Sequence, residues 1–290
     1  MKTLLIVGGG AEQITAYQLA KKRGLKVVGS DRDINAPALR LADYIILAST
    51  RDAKETLKKV ISFNKKVKID GVMTLANDVP LTVSKIANAL GLQSISINSA
   101  KLFSDKLLMK EAFFRNGVAC PWFSAVKDLK NLNKLAEDRS HQRYVLKPTD
   151  GRGARGVLFI DNDIDLTWAY EEASKYSESD ELILEKFEGG IQLSTESFIL
   201  NERCFTPAIS ERNYGRFAQF SPNIIEDGGT VPADLSSELV IKINELILSG
   251  AKALGVDYGQ IKGDLVLDHN GDPKIIELAA RLSGGWFASH

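Results

Sequence analysis

The first hundred residues alternate short apolar runs with amphipathic ones, and this rhythm constrains the fold of the 290-residue chain more than any other feature. Residues 4–7 read as a strand, 11–23 as a helix ending near Gly24, and 26–30 as a second strand. A short helix around 36–41 precedes a third strand at 44–47. A helix at 53–64, a fourth strand at 71–74 and a helix at 79–89 closed by Gly91 complete the series. Strands separated by helices pair in parallel through right-handed crossovers, with helices on both faces. A Rossmann-like parallel-sheet domain over residues 1–98 is the expectation.

From Ser99 the pattern changes. Residues 100–116 read as one long helix, followed by Pro121 and a βαβ-like unit. Strands then follow near 144–146, 157–160, 182–187, 193–200 and 202–209, several without intervening helices, so an antiparallel sheet is expected. An amphipathic helix at 236–254 leads to strands at 263–267 and 274–278, joined by a turn at Asn270–Gly271. The whole is α/β followed by α+β.

Composition excludes some functions. Lysine plus arginine number 37 and so do aspartate plus glutamate, so no basic excess exists to hold nucleic acid. The opening MKTLLIVGGG has an apolar run too short for a signal sequence or a membrane span. Cys120 and Cys204 match no metal spacing, which points to two buried thiols in a reducing, cytoplasmic setting. His141, His269 and His290 form no cluster and read as structural or exposed.

Within YVLKPTDGRGARGVLFI, two β-rich runs flank a connection longer than a simple hairpin requires. It carries Lys147, Asp150, Arg152 and Arg155 with Gly151, Gly153 and Gly156. Glycines let backbone amides approach phosphate oxygens, and the basic side chains supply charge, so the loop suits a polyphosphate. A second glycine loop, Gly8-Gly9-Gly10-Ala11-Glu12-Gln13, lies between the first strand and first helix, with Asp31 after the second strand. That is the place of a dinucleotide loop, but Gln13 replaces the third glycine. A tight βα turn, a small anionic substrate and NAD(P) all remain open for it.

Further segments carry chemistry. Ser104-Asp105-Lys106 opens a helical stretch and, alone, reads as a capped solvated face. Leu182-Ile183-Leu184-Glu185-Lys186-Phe187 is an apolar strand whose edge can offer main-chain groups to a purine. Asp264 and Glu277 sit on two strands whose alternation would place them opposite each other. Two carboxylates with phosphate oxygens and waters suit octahedral Mg²⁺. A lone strand carboxylate would more simply form a salt bridge.

In order, DK, KPxxxxGxxG, LEKF and GD…IELAAR resemble the ATP-grasp ligases, in particular the carbamoyl-phosphate-synthase and phosphoribosylglycinamide-synthetase branch. GGGAEQITAY and NAPALRLADYIILAST resemble the domain that precedes it there. The resemblance implies an ATP-grasp domain over 99–290, with a lid subdomain at about 120–187 and a C-terminal subdomain at about 188–290, clasping ATP. It implies that Lys106 and Lys147 contact phosphates beneath a lid of Gly151, Gly153 and Gly156, and that Glu185, Lys186 and Phe187 form the adenine hinge. Gln192 stands at the ribose-binding position, where the family usually has glutamate. Asp264 and Glu277 match the metal ligands, for Mg²⁺ or Mn²⁺, while Ala279 replaces the family's third ligand. Arg281 matches the arginine that steadies the transferred phosphoryl group.

The resemblance thus implies an ATP- and Mg²⁺-dependent carboxylate–amine ligase working through an acyl phosphate. Its partners would be a small-molecule carboxylate and an amine, with no nucleic acid and no membrane. Candidate substrate contacts are Gly9, Gly10, Glu12, Gln13, Glu196 and Arg212. A nucleotide-binding protein without ligase activity and an NAD(P)-dependent oxidoreductase are the alternatives. Members of that branch generally continue well beyond the position of Arg281, so the chain reads as C-terminally short. A homo-oligomer and a complementing C-terminal chain both stand open.

Overall fold

The computed structural model describes residues 1–138 and 142–284. His141 and His290, and all but the first four residues of the closing stretch from Arg281 onward, lie outside them.

Four parallel strands form the first sheet: β1 (Thr3–Val7), β2 (Lys26–Asp31), β3 (Tyr44–Leu47) and β4 (Gly71–Met73), in the order β3-β2-β1-β4. Helix α1 (Ile14–Lys22) links the first two strands, α2 (Ala53–Asn64) precedes β4, and α3 (Pro80–Leu90) follows it. Leu5, Ile6, Val7, Val27 and Val28 are wholly buried, as strands covered on both faces must be. The short helix expected around 36–41 is a single 3₁₀ turn, Leu39–Leu41. It presses Leu39 onto β2 so closely that a Cβ on Gly29 would stand 2.6 Å from Leu39 Cδ2.

The long helix expected over 100–116 is broken into α4 (Ile97–Ser104) and α5 (Lys106–Arg115). Asp105 between them is extended, with φ −136° and ψ 118°, and its carboxylate accepts from Leu108 N. An aspartate is a favoured N-cap, and here capping wins over helix continuation. The break makes Lys106 the first residue of α5, and its N–H donates to Thr149 O at 2.8 Å.

Two antiparallel sheets follow. Strands β5 (Phe123–Val126), β6 (Tyr144–Pro148), β7 (Leu158–Ile160) and β8 (Leu182–Lys186) run in the order β5-β8-β6-β7, backed by α6 (Leu129–Glu137) and α7 (Leu166–Ser174). The unit after Pro121 is therefore βαβ in connection only, because β8 lies between β5 and β6. The larger sheet has β9 (Gln192–Leu200), β10 (Arg203–Asn213), β11 (Gly228–Thr230), β12 (Tyr258–Leu267) and β13 (Pro273–Ala279), ordered β11-β10-β9-β12-β13. Between β10 and β11 lies α8 (Phe217–Phe220), a single turn; α9 (Ser237–Ala253) covers the sheet and packs with α5 around Phe113, Ile247 and Leu278.

Several contacts join the parts. Residues 213–227 form a strap from the larger sheet to the smaller: Phe159 N donates to Pro222 O, and the Phe217 ring meets Phe159 and Phe187 at 5.0 and 5.7 Å. Beyond β13 the chain pairs in parallel with the first domain through Leu75 and Leu282. Cys120 and Cys204 are unbridged and half-buried, less enclosed than expected. Among the described residues no helix is long and apolar enough to cross a membrane.

Candidate functional site

A cavity of about 440 Å³ opens between the two antiparallel sheets. Lys106, Lys147, Gly151, Gly153, Glu185, Lys186, Phe187, Gln192, Arg212, Asp264, Glu277 and Arg281 all line it, although the sequence separates them widely. Val145, Val157, Val266 and Ile276 give it an apolar portion that the sequence reading did not identify.

On the smaller sheet, β6 and β8 pair Lys147 with Ile183 and Val145 with Glu185, and α5 brings in Lys110. Glu185 lies 2.7 Å from Lys147 Nζ and 3.3 Å from Lys110 Nζ, and all three side chains are almost wholly buried. Lys110 Nζ also donates to Ile275 O at 3.0 Å. Burial would raise the Glu185 carboxyl, but the two ammonium groups outweigh it and hold the group below its usual range. Burial pulls Lys147 down from the usual lysine range, against the attraction of Glu185. Two cations on one anion leave a net positive charge in the wall, which favours an anion in the cavity. Glu185 thus pairs with Lys147 and Lys110 within the wall and also lines the cavity. Lys110 was missed, since a lysine within an ordinary helical pattern gives no signal of burial.

The N–H groups of Lys186 and Phe187 are also committed, donating to Trp122 O and Arg143 O at 2.8 and 2.9 Å. They are not free hinge donors. Beyond them, Glu188 accepts from Lys186 and Lys274.

On the larger sheet, Asp264 stands opposite Glu277 in the β12–β13 register, with a bulge immediately after it. The bulge lets Ile276 as well as Glu277 reach the cavity. Lys262 donates to Asp264 Oδ2, and Arg212 bridges Asp264 Oδ1 at 3.3 Å and Glu226 at 3.0 Å. Burial works against the Asp264 anion, but Lys262 and Arg212 prevail and its pKa falls to about 2. Its Oδ1 is buried without a hydrogen-bond partner. An ionised carboxylate whose Oδ1 is held by an ion pair alone, facing a second carboxylate, fits one Mg²⁺ whose remaining ligands are phosphate and water. No larger group of histidine, cysteine and acidic ligands occurs among the described residues.

Lys106 ties the walls together: its Nζ donates to Gly151 O at 2.8 Å and lies 3.3 Å from Glu277 Oε1. In the loop, Gly153 and Gly156 have φ of 62° and 70°. Gly156 faces Tyr176 and Ala173, away from the cavity, and so anchors the loop instead of touching its contents. Arg281 reaches across to Asp78 of the first domain, Nε to Oδ1 at 2.5 Å.

The N-terminal glycine loop stays outside the cavity. Gly9 N donates to Asp31 Oδ2, Gly9 O accepts from Ala38 N, and a Cβ there would meet Leu39 at 2.8 Å. Gln13 is buried and its Nε2 donates to Leu75 O at 2.7 Å. Gly10 is crowded by that side chain. Asp31 also accepts from Asp33 N, so the carboxylate that would hold a ribose instead fastens the loop. Gly9, Gly10 and Gln13 are packed within the first domain and none lines the cavity, and the Asp31 carboxylate of the dinucleotide reading is taken up by the loop. Glu12 is exposed beside Gly284. Glu196 is buried, accepts from Ser283 N at 2.9 Å, and is raised above its usual range by burial. Neither lines the cavity, whereas Arg212 does.

The ATP-grasp domain family matches residues 103–285, and the PylC-like N-terminal domain family matches residues 4–91. The chain belongs to the ATP-grasp family. It is 26% identical over 227 residues to a formate-dependent phosphoribosylglycinamide formyltransferase of Prochlorococcus marinus, covering 74% of this chain and 55% of that one. It is 27% identical over 185 residues to an N5-carboxyaminoimidazole ribonucleotide synthase of Staphylococcus aureus, covering 64% and 47%. The chain thus spans about half the length of these relatives. Its fold is similar to an L-amino acid ligase from Bacillus licheniformis, with a TM-score of 0.82 at 24% identity over 100% of this chain and 69% of that one. An ADP complex of purK, an N5-carboxyaminoimidazole ribonucleotide synthetase, gives 0.79 at 22% over 97% and 70%.

Proposed function

We propose that this protein is an ATP- and Mg²⁺-dependent carboxylate–amine ligase working through an acyl phosphate. The observation that carries the reading is one cavity lined by Lys106, Lys147, Lys262, Arg212 and Arg281 and by the facing carboxylates Asp264 and Glu277. Such a wall suits a polyphosphate with a divalent ion. The names of the ADP-bound neighbour and of the ligase neighbour agree with it.

The apolar portion takes the adenine, with Val145, Val266 and Ile276 against its faces and Gln192 toward the ribose. Lys106 and Lys147 hold the phosphates, and the loop carrying Gly151 and Gly153 closes over them. Asp264 and Glu277 would hold Mg²⁺, which neutralises phosphate charge when bound. Arg281 also lines the cavity, and its guanidinium steadies the γ-phosphoryl group.

A substrate carboxylate oxygen attacks the γ-phosphorus, the bond to the β–γ bridging oxygen breaks, and ADP leaves. The amine then attacks the acyl carbon, inorganic phosphate departs, and the amine nitrogen gives up its proton. Phosphoryl transfer needs positioning and charge neutralisation rather than a protein nucleophile. Exclusion of water by the loop protects the acyl phosphate.

A panel of amino acids and small carboxylates, assayed in pairs for ADP release, tests this. Stimulation by a pair, with the acyl phosphate trapped by hydroxylamine and both lost in Arg281→Ala, is the expected result. Stimulated turnover surviving in Arg281→Ala would refute the mechanism.

A further inference from the structure

The β12–β13 wall offers oxygen donors for one divalent ion and then a positive charge. Next to the Asp264–Glu277 pair, Lys262 stands opposite Ala279 in register. Both line the cavity. Ala279 has no side-chain oxygen. Lys262 is only 12% exposed, and its Nζ is held on Asp264 Oδ2. On its other side β9 places Glu196 opposite it.

Asp264 and Glu277 with phosphate and water oxygens complete one octahedral shell. A second divalent ion alongside would find no side-chain oxygen at Ala279. It would also meet the ammonium of Lys262 at close range in a wall screened from solvent, where like charges repel strongly. One N–H of that ammonium is spent on Asp264, and its other donors can serve phosphoryl oxygens that a second ion would otherwise hold.

We infer that Lys262 is a built-in second cation, so that the site takes up one divalent ion per nucleotide. This rests on the nucleotide reading above. Lysine here supplies charge as a fixed point on the strand, aimed by Asp264 and independent of metal concentration.

Counting Mn²⁺ by electron paramagnetic resonance on the full chain, saturated with ADP or a non-hydrolysable ATP analogue, tests it. The expected count is one Mn²⁺ per bound nucleotide. Ala279→Asn adds an oxygen donor but keeps the ammonium, and should remain at one. Lys262→Met with Ala279→Asn removes the ammonium, and should rise to two; circular dichroism checks its fold, with Lys262→Gln replacing Lys262→Met if it fails. Two Mn²⁺ in the unaltered protein, two in Ala279→Asn alone, or one in the folded double variant would each overturn the inference. Absence of nucleotide binding, read separately by calorimetry, would overturn the nucleotide reading and this inference with it.

Discussion

Asp78 and Arg281, 203 residues apart in the chain, meet at 2.5 Å across the junction between the parallel-sheet domain and the cavity. Burial disfavours the Asp78 anion, but Arg281 outweighs it and keeps the carboxyl below its usual range. Arg281 in turn is raised by Asp78 in spite of its burial. The first domain therefore orients a side chain that lines the cavity of the second, and the Leu75–Leu282 bridge holds the two backbones in place for it.

Asp78→Asn keeps the shape of the pair but removes its charge. Hydrogen bonds to charged groups contribute about 1.5–3 kcal/mol, so substrate-stimulated ADP release should slow about 10–100-fold. The effect should fall on kcat while the KM for ATP stays nearly constant, because Asp78 acts through Arg281, the residue assigned to the transferred phosphoryl group. Initial rates across an ATP series check this, and Asp78→Glu should recover part of the loss.

The buried triad predicts an unequal pair of variants. Glu185→Gln leaves Lys110 and Lys147 buried without their anion and should cost about 3–5 kcal/mol of stability. Lys147→Met leaves the Lys110–Glu185 pair intact and should cost less. Yet Lys147→Met should weaken ATP binding the more per unit of stability lost, since it removes a cation that lines the cavity. Thermal unfolding and calorimetric titration with ATP separate the two effects.

Much of this architecture was legible because local chemistry and tertiary demand agreed. The alternating βαβ pattern gave the parallel sheet, and the period of two along Asp264 and Glu277 gave their facing register. What failed to show was long-range. Lys110 reads as a solvated helix residue, and only the fold places it under β8. Asp78 reads as part of a loop before Pro80, and nothing nearby announces Arg281. Gln13 looked like a ligand because a glycine loop raises that expectation, yet its amide fastens the loop to Leu75. The break at Asp105 was written in its capping side chain but was masked by a helical pattern on both sides.

Asp264 also sets a pH dependence. Its pKa of about 2 in the fold lies below the ordinary value of 3.8. A carboxyl depressed by folding stabilises the native state fully above its unfolded pKa, and that stability is lost as pH falls through the folded one. The difference is on the order of 2 kcal/mol. Urea unfolding at pH 5 and at pH 2.5 should show this portion of the acid loss shrinking in Asp264→Asn.

The connection from β8 to β9 makes a last prediction about backbone packing. A Cβ on Gly190 would overlap the Leu267 carbonyl, while the neighbouring Ile191 O accepts from Leu267 N at 2.9 Å. The clash is with main chain, which cannot swing aside as a flexible side chain would, so Gly190→Ala must part β9 from the end of β12. Overpacking of this kind costs about 1–3 kcal/mol. Gln192 and Val266 sit opposite each other just beyond and line the cavity, so ATP affinity should fall as well. Gly24→Ala is the comparison: Gly24 has φ of 73° and open space where a Cβ would fall. It should cost only the left-handed backbone penalty, about 1–2 kcal/mol, and leave ATP binding unchanged. Calorimetric titration of both variants decides it, since equal ATP affinities would show that the strand ends do not shape the cavity.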